Sequence, residues 1–192
     1  MQGRLASLAL AAIFVLALAL SGAVRAETRS ALSADARAVT LFPGERVVLR
    51  LATDGGLTLV SAAAVDPAAA LPPKPGPKPN DAPLQTADPD TLALTLATRD
   101  GQTMLRLDSG LSLAFDYRVV LQAERGGRTV AEAASACTVL PLLASFEIWP
   151  YAVASVTLSK FVTRTTNAVV CSDPPQMENT GRWPSTPTPA SN

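Results

Sequence analysis

The sequence predicts an all-β protein, an antiparallel β-sandwich of immunoglobulin-like layout, and three observations predict it. Stretch 111–123 places Leu111, Leu113, Phe115, Tyr117, Val119, Leu121 and Ala123 at a period of two, the spacing of a strand with one buried face. Eight or nine short β-segments are separated by turn signals rich in glycine, proline and aspartate. No stretch carries the apolar period of a convincing amphipathic helix.

Residues 1–26 read as a secretory signal peptide. Arg4 precedes an apolar run over 5–20, and Val24 and Ala26 supply the small residues expected before a cut at Glu27. The alternative is a retained membrane anchor, but the run is shorter than the roughly 20 residues a spanning helix needs. No cysteine follows the run, which argues against a lipid anchor. Cleavage removes Arg4 and Arg25 and no acid, leaving 14 basic against 16 acidic residues. The charges are sparse and mixed along the chain, so nothing points to nucleic acid or an anionic membrane surface.

Residues 27–171 are long enough for one β-sandwich domain with a single core. A loose lead-in precedes a first strand at 39–42, and Pro43-Gly44 turns the chain into a second strand carrying Val47, Leu49 and Leu51. Asp54-Gly55-Gly56 is a hairpin signal before a third strand from Leu57 to about Val65. The interval 66–89 holds eight prolines and reads as a Pro-rich inserted loop, with a spacer or a ligand for a proline-binding groove as the functional alternative.

Leu92, Leu94 and Leu96 alternate with small residues in the next strand; Arg99-Asp100-Gly101-Gln102 turns it into a strand with Leu105 and Leu107. Asp108-Ser109-Gly110 is expected to be a hairpin turn into 111–123, which Gly126-Gly127 then links to a weaker partner strand over 128–137. Stretch 138–151 loses the alternation and contains Pro141 and Pro150, so it is expected to be a crossover packed over the sandwich end. A last long strand runs from Val153 to about Thr165, with 169–171 as a short continuation. The tail 172–192, with five prolines, is expected to be mostly disordered.

Cys137 and Cys171 are the two cysteines, and an exported chain favours their pairing as a disulfide. The chain has no histidine, which removes Ser-His-Asp and Cys-His catalysis and the usual imidazole-based zinc site. Asp108, Asp116, Glu124 and Glu147 remain as carboxylate candidates. A glycosidase would need two of them facing each other across a cleft, whereas turn and wet-face positions are expected for Asp108, Asp116 and Glu124. Asp88, Asp90 and Asp100 raise calcium, but the six to eight oxygen ligands it takes are not visible locally. No metal and no cofactor is therefore expected.

The cluster Phe146, Trp149 and Tyr151 stands out in a chain poor in aromatics, either as a binding surface or as a plug closing the sandwich. The sequence thus points to an exported, periplasmic or extracellular, non-enzymatic protein that binds a protein partner in the cell envelope. Unpaired sheet edges are the physical route to that binding. A small-ligand or carbohydrate-binding module and a carboxylate-only enzyme are the alternatives.

Overall fold

The computed structural model describes residues 28–66 and 87–172. The leader at 1–26, the Pro-rich stretch at 67–86 and the tail at 173–192 lie outside the described residues. Those described form β1 (Ala31–Leu32), β2 (Ala38–Leu41), β3 (Glu45–Leu51), β4 (Leu57–Ala64), β5 (Leu92–Arg99) and β6 (Gln102–Ser109). They continue through β7 (Ala114–Arg125), β8 (Arg128–Ala134), β9 (Ala136–Cys137), β10 (Ala144–Trp149), β11 (Val153–Arg164) and β12 (Cys171–Ser172), with no helix.

Two five-stranded antiparallel sheets result, ordered β1-β2-β11-β7-β8 and β10-β6-β5-β3-β4, with a small sheet of β9 and β12 beside them. Alternation explains how the two large sheets hold together. Val39, Leu41, Phe115, Tyr117, Val119, Leu121, Val156 and Leu158 project from the first sheet into one core with Val47, Leu49, Leu92, Leu94, Leu96, Leu105 and Leu107 of the second. Each such side chain contributes roughly 1.5–3 kcal/mol when fully withdrawn from water. Phe115, Tyr117 and Phe161 form the aromatic part of this core, with ring centroids 6.1–6.3 Å apart.

Local turn chemistry sets the hairpins. Asp100 and Gly101 both take positive φ (52° and 76°) between β5 and β6, the conformation a two-residue hairpin turn requires and glycine tolerates. Gly126 and Gly127 do the same between β7 and β8. Asp54-Gly55-Gly56 leads from β3 into its antiparallel neighbour β4, where Val60 is the extra residue of a bulge.

Four local expectations are corrected. Asp108-Ser109-Gly110 is no hairpin turn: β6 and β7 belong to different sheets, and β7 pairs with β8 and β11. Strand β7 begins at Ala114, so Leu113 escapes the buried row and is 43% exposed. Stretch 138–151 contains a strand, since β10 pairs with β6 in unbroken register from Ala144 opposite Asp108 to Trp149 opposite Thr103. Residues 169–171 do not prolong β11: Cys171 and Ser172 return as β12 to pair with β9, Cys171 directly opposite Cys137.

Those two cysteines form a disulfide across a sequence separation of 34. Thr138 fastens the same clasp: its N–H donates to the Val170 carbonyl at 3.0 Å, and its hydroxyl accepts the Val170 N–H at 3.1 Å.

Candidate functional site

The carboxylates singled out above are spread over different surfaces, each held by its own partner. Asp108 is a strand residue rather than a turn residue, fully buried on the outer face of the second sheet. Its Oδ1 accepts from Arg106 Nε at 2.8 Å, and Arg46 Nη1 lies 3.6 Å from Oδ2. Arg46 and Arg106 pair with Thr95 from either side, so Ala93 and Thr95 are buried although they point away from the core.

Asp116, on the outer face of the first sheet, accepts from Arg164 Nη1 and from the Thr138 hydroxyl, each at 2.7 Å. Glu124 lies eight residues further along the same face, where it accepts from the Thr129 hydroxyl. Glu147 turns inward, opposite in face to Asp108. No two of these acids confront one another across a cleft. Asp88 and Asp90 precede β5 and Asp100 follows it, so a strand's length separates them. Among the described residues no group of three or more cysteines and acids stands close enough to hold a metal ion.

A cavity of about 330 Å³ lies between the outer face of the first sheet and the disulfide clasp, with Asp116, Arg118, Lys160 and Val170 among its walls. Its acid is already engaged by Arg164 and Thr138.

The aromatic segment proves to be β10 and its exit, and the three side chains part company. Phe146 lies half-buried on the outer face, with the Arg106 guanidinium 5.9 Å from its ring centroid. Trp149, on the opposite face, is 8% exposed within the core. Tyr151 lies past the strand under Arg125, whose guanidinium is 4.0 Å from the ring centroid, and donates its hydroxyl to Glu132 Oε2 at 3.2 Å. Alternation assigns these places: even-numbered residues of β10 face outward and odd-numbered ones inward.

Ile148 joins Phe146 on the outward row and is 54% exposed; sequence periodicity did not single it out because its neighbours do not alternate in polarity. Leu142 and Leu143, just before the strand, are also exposed. The one charge in β10, Glu147, accepts a hydrogen bond from Tyr117 Oη at 2.9 Å and one from the Cys137 N–H at 3.4 Å. Burial pushes the Glu147 carboxyl up, and these two donors hold it partly down.

Four strands end the two large sheets, and they differ in how they are blunted. β1 is two residues long, and β8 carries Arg128 and Glu132, the latter ion-paired with Arg125. β4 has no charge but is interrupted by its bulge at Val60, and its first N–H donates to the Ala36 carbonyl. β10 has no bulge, no internal proline, and its acid turned inward.

No protein-family model, no curated protein and no solved structure matches this chain.

Proposed function

We propose that the protein is an exported, non-enzymatic binding module of the cell envelope that engages a protein partner through the open edge of β10. The observation that carries this reading is the state of that edge, with which no strand among the described residues pairs. It is a regular strand bearing Phe146 and Ile148 on its outward row, with its single charge withdrawn to Tyr117. Such an edge offers main-chain hydrogen bonds for affinity and alternating side chains for selectivity. Trp149 and Tyr151 support it from beneath and from its exit, while Phe146 and Ile148 make the contact.

Export is supported by the leader-like sequence at 1–26 and by the Cys137–Cys171 disulfide, which persists in oxidising compartments. Among the described residues no helix is long and apolar enough to cross a membrane. An immunoglobulin-like layout is supported by two packed antiparallel sheets whose connections pass repeatedly from one to the other.

Photo-crosslinking tests the reading. A benzophenone amino acid at position 148, introduced in cells that export the chain, should give a discrete protein adduct, and the same probe at Val60 on β4 should not. Absence of any adduct at 148 sinks the proposal. The mass of the exported chain tests the leader: it should begin at Glu27.

A further inference from the structure

Resting on the reading of β10 as a docking edge, we infer that its occupant is a second copy of this chain, joined antiparallel β10 to β10 about a two-fold axis at Phe146. The phase of the ladder determines which main-chain groups are free. The Ser109 N–H donates to the Leu143 carbonyl at 3.0 Å, so Leu143, and with it Ser145 and Glu147, turn their peptide groups toward β6. Ala144, Phe146 and Ile148 therefore turn theirs to the open edge.

A second β10 has to pair these three residues with one another. A register centred on Glu147 pairs Phe146 with Ile148 but leaves Ala144 opposite Pro150, and it sets two carboxylates directly opposite each other, an arrangement like charges disfavour across strands. A register centred on Ser145 pairs Ala144 with Phe146 but sets Ile148 opposite Leu142, which at φ 56° lies outside the strand. The register centred on Phe146 pairs all three: Phe146 with its own counterpart, Ala144 with Ile148 of the second copy, and Ser145 with Glu147 of the second copy. In that register every large side chain of the outward row meets either an aromatic or a small residue, and no two charges meet.

Continuing the ladder by one position brings the exposed Leu143 opposite Trp149 of the second copy. The contact would thus cover Ile148 and Leu143, two of the large apolar side chains that the single chain leaves in water. The five-stranded second sheet becomes one continuous sheet across both copies. Both ends of the free edge are delimited, by Pro150 after β10 and by Leu142 at φ 56° before it, which limits slippage to other registers.

The test uses the purified full chain. Light scattering coupled to size exclusion should give the mass of two chains for the wild type and for Val60→Lys, and of one chain for Ile148→Lys. Far-ultraviolet circular dichroism and the thermal midpoint should show that the half-exposed Ile148→Lys chain remains folded. Phe146→Cys should form an intermolecular disulfide, since opposed residues in a hydrogen-bonded antiparallel pair place their Cα atoms about 5.5 Å apart, within disulfide reach. A monomeric wild type, or a dimer that survives Ile148→Lys and gives no intermolecular crosslink in the Phe146→Cys chain, overturns the second-copy occupant. A monomer that still gives the position-148 adduct with a different protein overturns this inference alone, and loss of both the dimer and every adduct overturns the docking edge as well.

Discussion

Tyr117 and Glu147 tie the two sheets together: the phenol on β7 donates to Glu147 Oε1 on β10 at 2.9 Å, from opposite sides of the sandwich. Burial, then the Glu147 charge, pushes the Tyr117 phenol up, so it remains a donor throughout the neutral range.

The same contact makes stability depend on pH in a defined direction. Glu147 has a folded pKa above its ordinary value of about 4.5, because burial disfavours the carboxylate. The folded chain therefore holds this proton more tightly than the unfolded one, and the group's contribution is full below about pH 4.5 and is lost as pH rises through the raised value. Glu147→Gln keeps a neutral acceptor for Tyr117. Its thermal midpoint should match the wild type near pH 4 and exceed it by pH 7; a gap that widens on acidification would contradict this assignment.

Glu45 has the opposite sign. Burial raises its pKa, but the Arg29 and Ser30 N–H groups, which donate to its two oxygens at 2.9 and 2.8 Å, outweigh burial and hold it below the ordinary value. Its contribution is present above about pH 4.5 and is lost as pH falls through the lowered value. Glu45→Gln should cost about 1–3 kcal/mol at pH 7 and progressively less on acidification, measured by urea unfolding.

Asp108→Asn should be among the most damaging single changes. It leaves Arg46 and Arg106 without their shared counter-charge under the outer surface of the second sheet. A loss of about 3–5 kcal/mol is expected when one member of a buried charge cluster is removed, read as a shift in the denaturation midpoint.

Cys137→Ser with Cys171→Ser should cost about 3–4 kcal/mol, the entropy of closing a loop of this length in the unfolded chain. Reductant should lower the wild-type midpoint toward that of the double variant and leave the double variant unmoved.

Trp149→Ala and Ile148→Ala separate the two faces of β10. The first empties a core position and should cost about 3–5 kcal/mol, whereas the second should change stability by less than about 1 kcal/mol. Thermal midpoints compare them directly; equal losses would mean that the outward row is structural.

The two-layer β architecture was legible because Phe115, Tyr117, Val119 and Leu121 repeat at period two, and because Asp100-Gly101 and Gly126-Gly127 encode tight reversals locally. What a turn signal does not encode is the sheet that the next strand joins, which is why Asp108-Ser109-Gly110 misled. Strand β10 was hidden for a related reason: an edge strand needs no clean alternation, and the flanking Pro141 and Pro150 resemble loop punctuation. The environment of Asp108 was beyond local reading altogether, since Arg46 reaches it across β5 from β3, a strand distant in the chain. The Cys137–Cys171 pairing was readable from count and context, but the clasp it makes with Thr138 depends on where Val170 comes to rest.

Asp108 also acts as a proofreader of strand alignment. Because side chains alternate between faces, sliding β6 by one residue against β5 would drive this carboxylate into the layer of Leu94 and Leu96 while ejecting Leu105 and Leu107 into water. Arg106, on the same strand, would turn inward with it, and Arg46 on β3 would be left behind on the far face. Only one alignment of the hairpin therefore satisfies both the greasy and the charged faces at once.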